Sequence, residues 1–547
     1  MPGALRSFPC KSVILRGAGN WLKPHSITIT AMSVVRSRWL LIYLICVLFA
    51  LLMLGLPYLY AYRSEGTNYL FGGFLLNPLD GFTYLAKMYQ GWQGSWRYTF
   101  PYTASTGDGA YLFVFYLALG HLARLTQLPL VIAFHLARML AVGVLLLALV
   151  RFLAVVLPQP RQRAAAFALA ALGSGMGWLA FAITGLTSDF WVAEAYPFLS
   201  SYANPHFPFS LAALLELFTT RMELQTKGKS WRILWVALLS LFLALLSPFA
   251  VILALMVIAA LDLWQRRWLD PVLWTAALAS APLLLYDLWV VRADPILAGW
   301  NAQNLTTTPP LWDIAISFSP ALLFAFPGMV RAWKEKTWGL RLLLIWVASS
   351  LVAIYLPFGL QRRFLLGLYV PLAVFAVFGI DWLANRLQWK FGYLASLLLL
   401  FSLPTNLMLF LGARGAVVEH NPAIYLSRSE EAAMDWLQAN APAGSLVLAG
   451  PETGLFIPAY TGLRVLYGHP YETVNAVSEE GSVVSFFRDG GSWTSGQIQD
   501  FLAESGVDYV FYGPRERALG RLPDLAGLHA TFKADDVEIF AVSPLDR

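Results

Sequence analysis

Three groups of residues in this chain have the types and spacing that chemistry needs. The first lies in NPLDGFTYLAKMYQGWQGSW, Asn77 to Trp96. Asn77 can cap a helix with Pro78 at its first position, and Asp80, Tyr84 and Lys87 then follow at i, i+4 and i+7 on one face. A carboxylate placed there can take the proton of an attacking hydroxyl, with the phenol and the ammonium in support. The same carboxylate can instead do no more than complement the helix dipole, worth about 0.3–1 kcal/mol. The second group is in TSDFWVAEAYPFLSSYANPHFPF, Thr187 to Phe209, which carries Asp189, Glu194 and His206 but no Lys or Arg. With Asp80, these carboxylates are candidate ligands for a divalent cation, Mg or Mn, or can activate a hydroxyl. The alternative is a solvated loop whose Trp191 and Tyr196 belong to an aromatic belt. The third group is Arg362 and Arg363 in GLQRRFLLGLYVP. Paired guanidiniums at a hydrocarbon edge are costly unless something anionic meets them, and a phosphate fits an arginine fork. Carboxylates of neighbouring loops, or anionic headgroups, would also serve.

The elements that must hold these groups are membrane helices. Of 547 residues, 58% are hydrophobic and 13% charged, far from the roughly 45–50% apolar and 25% charged balance of soluble domains. Apolar runs near 39–60, 129–157, 164–185, 207–224, 232–247, 249–264, 271–291, 312–331, 341–358, 364–384 and 391–412 predict eleven spans. With the N-terminus inside, the inner loops collect Arg161 and Arg163, then Arg221, Lys227, Lys229 and Arg232, then Arg266 and Arg267, then Arg331, Lys334, Lys336 and Arg341, and lastly Arg386 and Lys390. This is the positive-inside pattern, and it leaves all three chemical groups on the outer side. Counting the apolar stretch Gly109 to Leu128 as a span would invert every later loop, so it reads as a helix in the outer interface, with Tyr111, Tyr116 and His121 at the wet boundary. Pro248 divides one long apolar run into two arms.

Residues 1–38 read as a basic cytoplasmic leader, residues 39–412 as the membrane part with a long first outer loop at 61–128, and residues 413–547 as an outer α/β domain. The first run is too long for a cleaved signal and reads as a retained anchor; the basic start at Met32 raises the possibility that residues 1–31 are not natural. The tail holds nine Lys and Arg against eighteen Asp and Glu, so the net charge of +6 conceals a basic membrane part. That division is topological and argues against nucleic acid as a partner. Helices are expected at Glu430–Asn440 and Gln497–Ser505, and strands at Ser445–Ala449, Val507–Tyr512 and Val537–Val542. The two cysteines, Cys10 and Cys46, offer no disulfide framework.

Other motifs carry less. Gly228-Lys229-Ser230 lacks the leading glycine of a phosphate loop, since Glu223 stands there. Gly173 to Gly177, GSGMG, lies within a span and reads as close helix packing. His135 and Arg138 lie one turn apart inside a span and should face protein or water. His469, in GHP, reads as a packed loop histidine.

The order of features resembles the GT-C superfamily of membrane glycosyltransferases: a first span, a long outer loop with an acid ahead of an amphipathic helix, many further spans and an outer α/β domain. The resemblance covers essentially the whole chain and is most like the bacterial members. It implies a polyprenyl-phosphate-linked sugar donor, a lipid, glycan or protein acceptor, and inverting transfer at the outer face of a bacterial inner membrane. It implies further that Asp80 in NPLDGFTYLA deprotonates or positions the acceptor. Asp189 or Glu194 would be the second acidic site, and Arg362 and Arg363 in QRRF, with His206, would hold the donor phosphate. The chain has neither the Asp-x-Asp pair of the first loop nor the WWD-type tail motif of oligosaccharyltransferases. A transporter or flippase of lipid-linked substrates, and a non-catalytic anchor for the outer domain, are the competing expectations; no internal repeat favours the former.

Overall fold

The computed structural model describes residues 25–227, 231–267, 270–335, 337–357, 359–520 and 528–542. The leader up to residue 24, the first question about residues 1–31, and the Gly228-Lys229-Ser230 tripeptide therefore lie outside the described residues in whole or in part.

Every one of the eleven apolar stretches is helical, but they are not equivalent as spans. By length and composition seven qualify among the described residues: Trp39–Arg63, Leu130–Val156, Pro160–Thr184, Pro248–Gln265, Pro271–Ala293, Gln361–Leu387 and Phe391–Val418. An eighth is a broken pair, Leu311–Ser317 and Ala321–Glu335, bent by 88°. Trp231–Leu246 and Trp338–Ala353, of 16 residues each, rise only about 24 Å against a hydrocarbon core of about 30 Å. His206–Lys227 is long enough but carries Glu216, Arg221 and Glu223. Among the described residues, seven or eight helices are thus long and apolar enough to cross a membrane by themselves, and the rest of the eleven expected runs are shorter or more charged helices. The chain is an integral membrane protein, α-helical and polytopic, with a small sheet-containing region at its C-terminal end.

The basic loop residues meet at one end of the bundle. Asp381 accepts from Arg161 at 2.8 Å and from Arg331 at 3.1 Å, Arg221 pairs with Asp262 at 2.5 Å and Asp270 at 2.8 Å, and Arg341 lies over Trp264. Trp264 in turn packs against Trp333, which closes these loops into one network. Within the bundle, Arg138 faces protein as expected: it donates to the carbonyls of Leu54 at 3.1 Å and Ser201 at 3.0 Å and to His135 Nδ1 at 3.3 Å, tying the first span to the second.

At the opposite end the first loop and the C-terminal region form one body. A short strand β1 (Tyr69–Phe71) pairs antiparallel with β2 (Tyr425–Ser427), beyond the last span. The remaining strands, β3 (Leu446–Leu448), β4 (Arg464–Val465), β5 (Tyr509–Tyr512), β6 (His529–Ala534) and β7 (Val537–Ala541), make a sheet in the order β4-β3-β5-β7-β6. Its first three strands are parallel and its last pairings antiparallel. The helix Arg428–Asn440 starts with a capping box, Ser427 with Glu430, and Ser495–Ser505 with another, Thr494 with Gln497. Phe82, Leu85 and Met88 of the first loop share a single apolar core with Leu437, Phe456 and Ile539 of the C-terminal region.

The first-loop helix Pro78–Gln93 crosses the helix Val114–Thr126 at backbone contact distance. A methyl group on Gly120 would run into the Met88 carbonyl, and one on Gly91 into that of Leu117. That crossing corrects the reading of Tyr116 as a residue of the wet boundary. It is 3% exposed, turned inward by the crossing, whereas Tyr111 is exposed and His121 stacks on Trp96 at 4.1 Å.

Candidate active site

Asn77 adopts the left-handed conformation (φ 48°) that asparagine tolerates better than most residues, and its side chain caps the first-loop helix. Its amide also donates to Asp80 Oδ2 at 2.6 Å. Asp80 is half-buried, and Oδ1 has no hydrogen-bond partner among the described residues. The carboxylate is oriented through one oxygen and open at the other.

One turn on, Tyr84 stacks on Tyr116 with ring centroids 4.3 Å apart, and the Tyr116 hydroxyl meets His206 Nδ1 at 2.6 Å. Phe207, the next residue, lies under the Arg363 guanidinium at 6.0 Å. Arg362 stacks over Trp191 at 4.7 Å. Both arginines face the buried Glu194, with Nε of Arg362 at 3.4 Å and an Nη of Arg363 at 3.9 Å from the same oxygen. Two cations meet one carboxylate, so one positive charge is left over among the described residues, at side chains 18% and 33% exposed. A run of contacts therefore links Tyr84, Tyr116, His206, Phe207, Arg363, Glu194 and Arg362, with Asp80 one turn before Tyr84 on the same helix. The alternative pairing of the arginines with an outer-loop carboxylate is realised, yet it neutralises only half of their charge.

Lys87 reaches inward from the same helix face. It is 1% exposed, and its Nζ sits 2.8 Å from Glu472 Oε1 while Tyr98 donates to Oε2 at 3.1 Å. Its ammonium lies 4.4 Å from the Phe113 ring centroid and 5.6 Å from that of Tyr84. Burial pushes the Glu472 carboxyl up, but the Lys87 charge, His469 and the hydrogen bonds from Lys87 and Tyr98 together offset this and hold it below the usual carboxylate value. Burial raises the Tyr84 hydroxyl, with the Asp80 charge adding to it, and burial with Glu472 does the same for Tyr98. Both phenols stay protonated as donors.

Asp189 is elsewhere. It is fully buried and accepts from Thr187 Oγ1 at 2.6 Å, Thr405 Oγ1 at 2.8 Å and the Gly177 amide at 3.0 Å. A methyl on Gly175 would strike the Ser317 carbonyl and approach Asp189, and one on Gly177 would strike Thr187 and Asp189. The GSGMG stretch is therefore close packing, as expected, though it interrupts the helix between Leu172 and Gly177 to admit the carboxylate. Burial raises the Asp189 carboxyl despite these hydrogen bonds. Among the described residues no hydrogen bond or ion pair joins Asp189 to Asp80 or to the arginines, whereas Glu194 meets both arginines.

The cation set fails on the same geometry. Mg and Mn take about six oxygen ligands. Asp189 has both oxygens engaged, Glu194 faces two arginines, Asp80 holds Asn77, and among the described residues no three acidic, His or Cys side chains gather. Asp80, Asp189 and Glu194 as they stand do not fit a divalent ion. Sequence reasoning missed Glu472, Tyr98 and the inward role of Tyr116. Local periodicity on the Tyr116 helix was available; nothing local marks Glu472.

No family model matches the sequence and no curated protein aligns with it. Solved structures do match. The archaeal oligosaccharyltransferase AglB of Archaeoglobus fulgidus in the apo form aligns over 93% of this chain and 75% of its own, at 12% identity and a TM-score of 0.55. AglB in complex with an inhibitory peptide and a dolichol-phosphate aligns over 87% and 69%, at 13% identity and 0.53. A mutant arabinofuranosyltransferase AftD from Mycobacteria aligns over 91% of this chain but 42% of its own, at 15% identity and 0.50. The chain has the fold of the GT-C membrane glycosyltransferases.

Proposed function

We propose that this protein is a glycosyltransferase that moves a sugar from a polyprenyl-phosphate donor to a lipid, glycan or protein acceptor, with inversion. What supports the reading is the open oxygen of Asp80 at the head of the first-loop helix together with the surplus charge of Arg362 and Arg363, to which that helix is linked through Tyr84, Tyr116 and His206. Asp80 takes the proton of the acceptor hydroxyl as its oxygen attacks the anomeric carbon; the bond to phosphate breaks, and its electron pair leaves with the phosphate beside the arginines. The base contributes roughly 10²–10⁴-fold, and the remainder comes from alignment and from stabilising the leaving phosphate. His206 and Tyr84, in ring contact at 5.4 Å, stand between the helix of Asp80 and the arginines and join in holding the donor headgroup. A lipid-linked donor suits the arrangement, since its tail stays in the bilayer while its headgroup meets arginines at the surface. The basic end of the bundle is cytoplasmic in this reading, and the site is extracytoplasmic in a bacterial plasma membrane.

The test is transfer of radiolabelled sugar from synthetic undecaprenyl-phosphate sugars to octyl glycosides by the purified protein in detergent. Formation of a glycosidic bond supports the reading. A transporter or a non-catalytic anchor forms none with any donor of the panel.

A further inference from the structure

The C-terminal region brings a second histidine to the buried side of the site. The turn from His469 to Thr473 is fixed from three directions. Glu472 pairs with Lys87 at 2.8 Å, Gln303 of the outer helix Pro295–Gln303 donates to the Thr473 carbonyl, and the Thr473 amide donates to the His469 carbonyl at 3.0 Å. His469 Nδ1 accepts the amides of both Tyr471 and Glu472 at 3.0 Å. A nitrogen that accepts two N–H groups carries no proton, so the hydrogen of the neutral ring is on Nε2. Burial also lowers the pKa of this imidazole, which keeps the ring neutral. Yet Nε2, at the ring edge directed away from the turn, is buried and without a partner among the described residues, in a side chain 2% exposed. An unmade hydrogen bond at such a site destabilises the protein, and a ligand that accepts from it removes that cost.

We propose that His469 Nε2–H donates a hydrogen bond to the acceptor, and that the acceptor is an uncharged hydroxyl-bearing group such as a sugar ring. This rests on the glycosyl transfer proposed above. The charge balance selects the class. Glu472 lies in the turn of His469 and neutralises Lys87, which shares the first-loop helix with Asp80, so this side of the site presents a neutral donor beside the uncompensated carboxylate of Asp80. A phosphorylated or carboxylated acceptor would be repelled. A polyol accepts from His469 with one oxygen and gives the proton of another to Asp80. The negative side then faces the acceptor and the positive side, at Arg362 and Arg363, faces the donor phosphate.

The substitution His469→Asn tests it, because an Asn Oδ1 can still accept the turn amides while its amide falls short of the Nε2 position. Transfer is measured from labelled undecaprenyl-phosphate sugar to octyl glucoside and to octyl glucoside 6-phosphate. The expected result is a rise of about tenfold or more in KM for octyl glucoside with donor KM unchanged, partial recovery in His469→Gln, and a wild-type preference for the unphosphorylated acceptor. An unchanged acceptor KM in the Asn variant, or wild-type preference for the phosphorylated acceptor, overturns this inference and leaves the glycosyltransferase reading standing. Absence of transfer by the wild type with every donor overturns both.

Discussion

The buried pair of Lys87 and Glu472 links the first outer loop to the C-terminal region, and its removal gives a worked prediction. The two residues are 385 apart in sequence, 2.8 Å apart in space, and 1% and 11% exposed in their side chains. Deleting one member of a buried pair leaves the other charge unsolvated and typically costs about 3–5 kcal/mol. Lys87→Met and Glu472→Gln should therefore each destabilise the docked state by that order. The double variant, which leaves neither charge, should recover to within about 1–2 kcal/mol of the wild type, a coupling of several kcal/mol. Hydrogen exchange in residues 78–93 and 469–475 reads the docking directly. Because the Glu472 carboxyl is held below its unfolded value, its contribution is present above that value, near the usual carboxylate pKa, and is lost as pH falls through the lower folded one. Protection of the two segments should accordingly fade together in acid and not in mild base. Costs under about 1 kcal/mol for both single variants, or strictly additive costs in the double, would refute the reasoning.

Further outcomes follow from the same contacts. On the proposed function, Arg363→Gln removes a charge-assisted partner of the donor phosphate, worth about 1.5–3 kcal/mol, so donor KM should rise by about tenfold or more while acceptor KM is unchanged. Asp189→Asn should fold and keep activity within a few-fold. Since burial raises the Asp189 pKa, its charged form weakens the fold as pH rises through that value, so melting temperatures at low and neutral pH should move in favour of the Asn variant at the higher pH. Gly120→Ala puts a methyl into the Met88 carbonyl and should cost about 1–3 kcal/mol, read as a lowered melting temperature and reduced activity, because the helix that carries Asp80 is displaced.

The parts of this architecture that rest on local pattern were legible in the sequence. The Asp80, Tyr84 and Lys87 face follows from helical spacing after an Asn-Pro cap, and the tail helices and strands follow from alternation and from Ser and Thr caps. The positive-inside pattern also foreshadowed the network of Asp381, Arg161 and Arg331 at one end. What was not legible depends on contacts between distant segments. Glu472 is an ordinary acid in an acidic tail until Lys87 is seen beside it, and Asp189 looks like an exposed loop carboxylate until Gly175 and Gly177 are seen to make room for it. Hydropathy also does not register a break inside an apolar run, such as the 88° bend between Leu311–Ser317 and Ala321–Glu335. The absence of an oligosaccharyltransferase tail motif says nothing against the shared fold with AglB, since at 12% identity the fold is kept by apolar pattern and packing.

The central claim is that Asp80 is the base of a lipid-phosphate-dependent transfer, and one variant addresses it most directly. Asp80→Asn keeps the size of the side chain and removes its basicity. Rates of labelled sugar transfer from undecaprenyl-phosphate donors should fall by roughly 10²–10⁴-fold, with unchanged melting temperature and unchanged binding of undecaprenyl phosphate. Transfer by this variant at close to the wild-type rate would contradict the account.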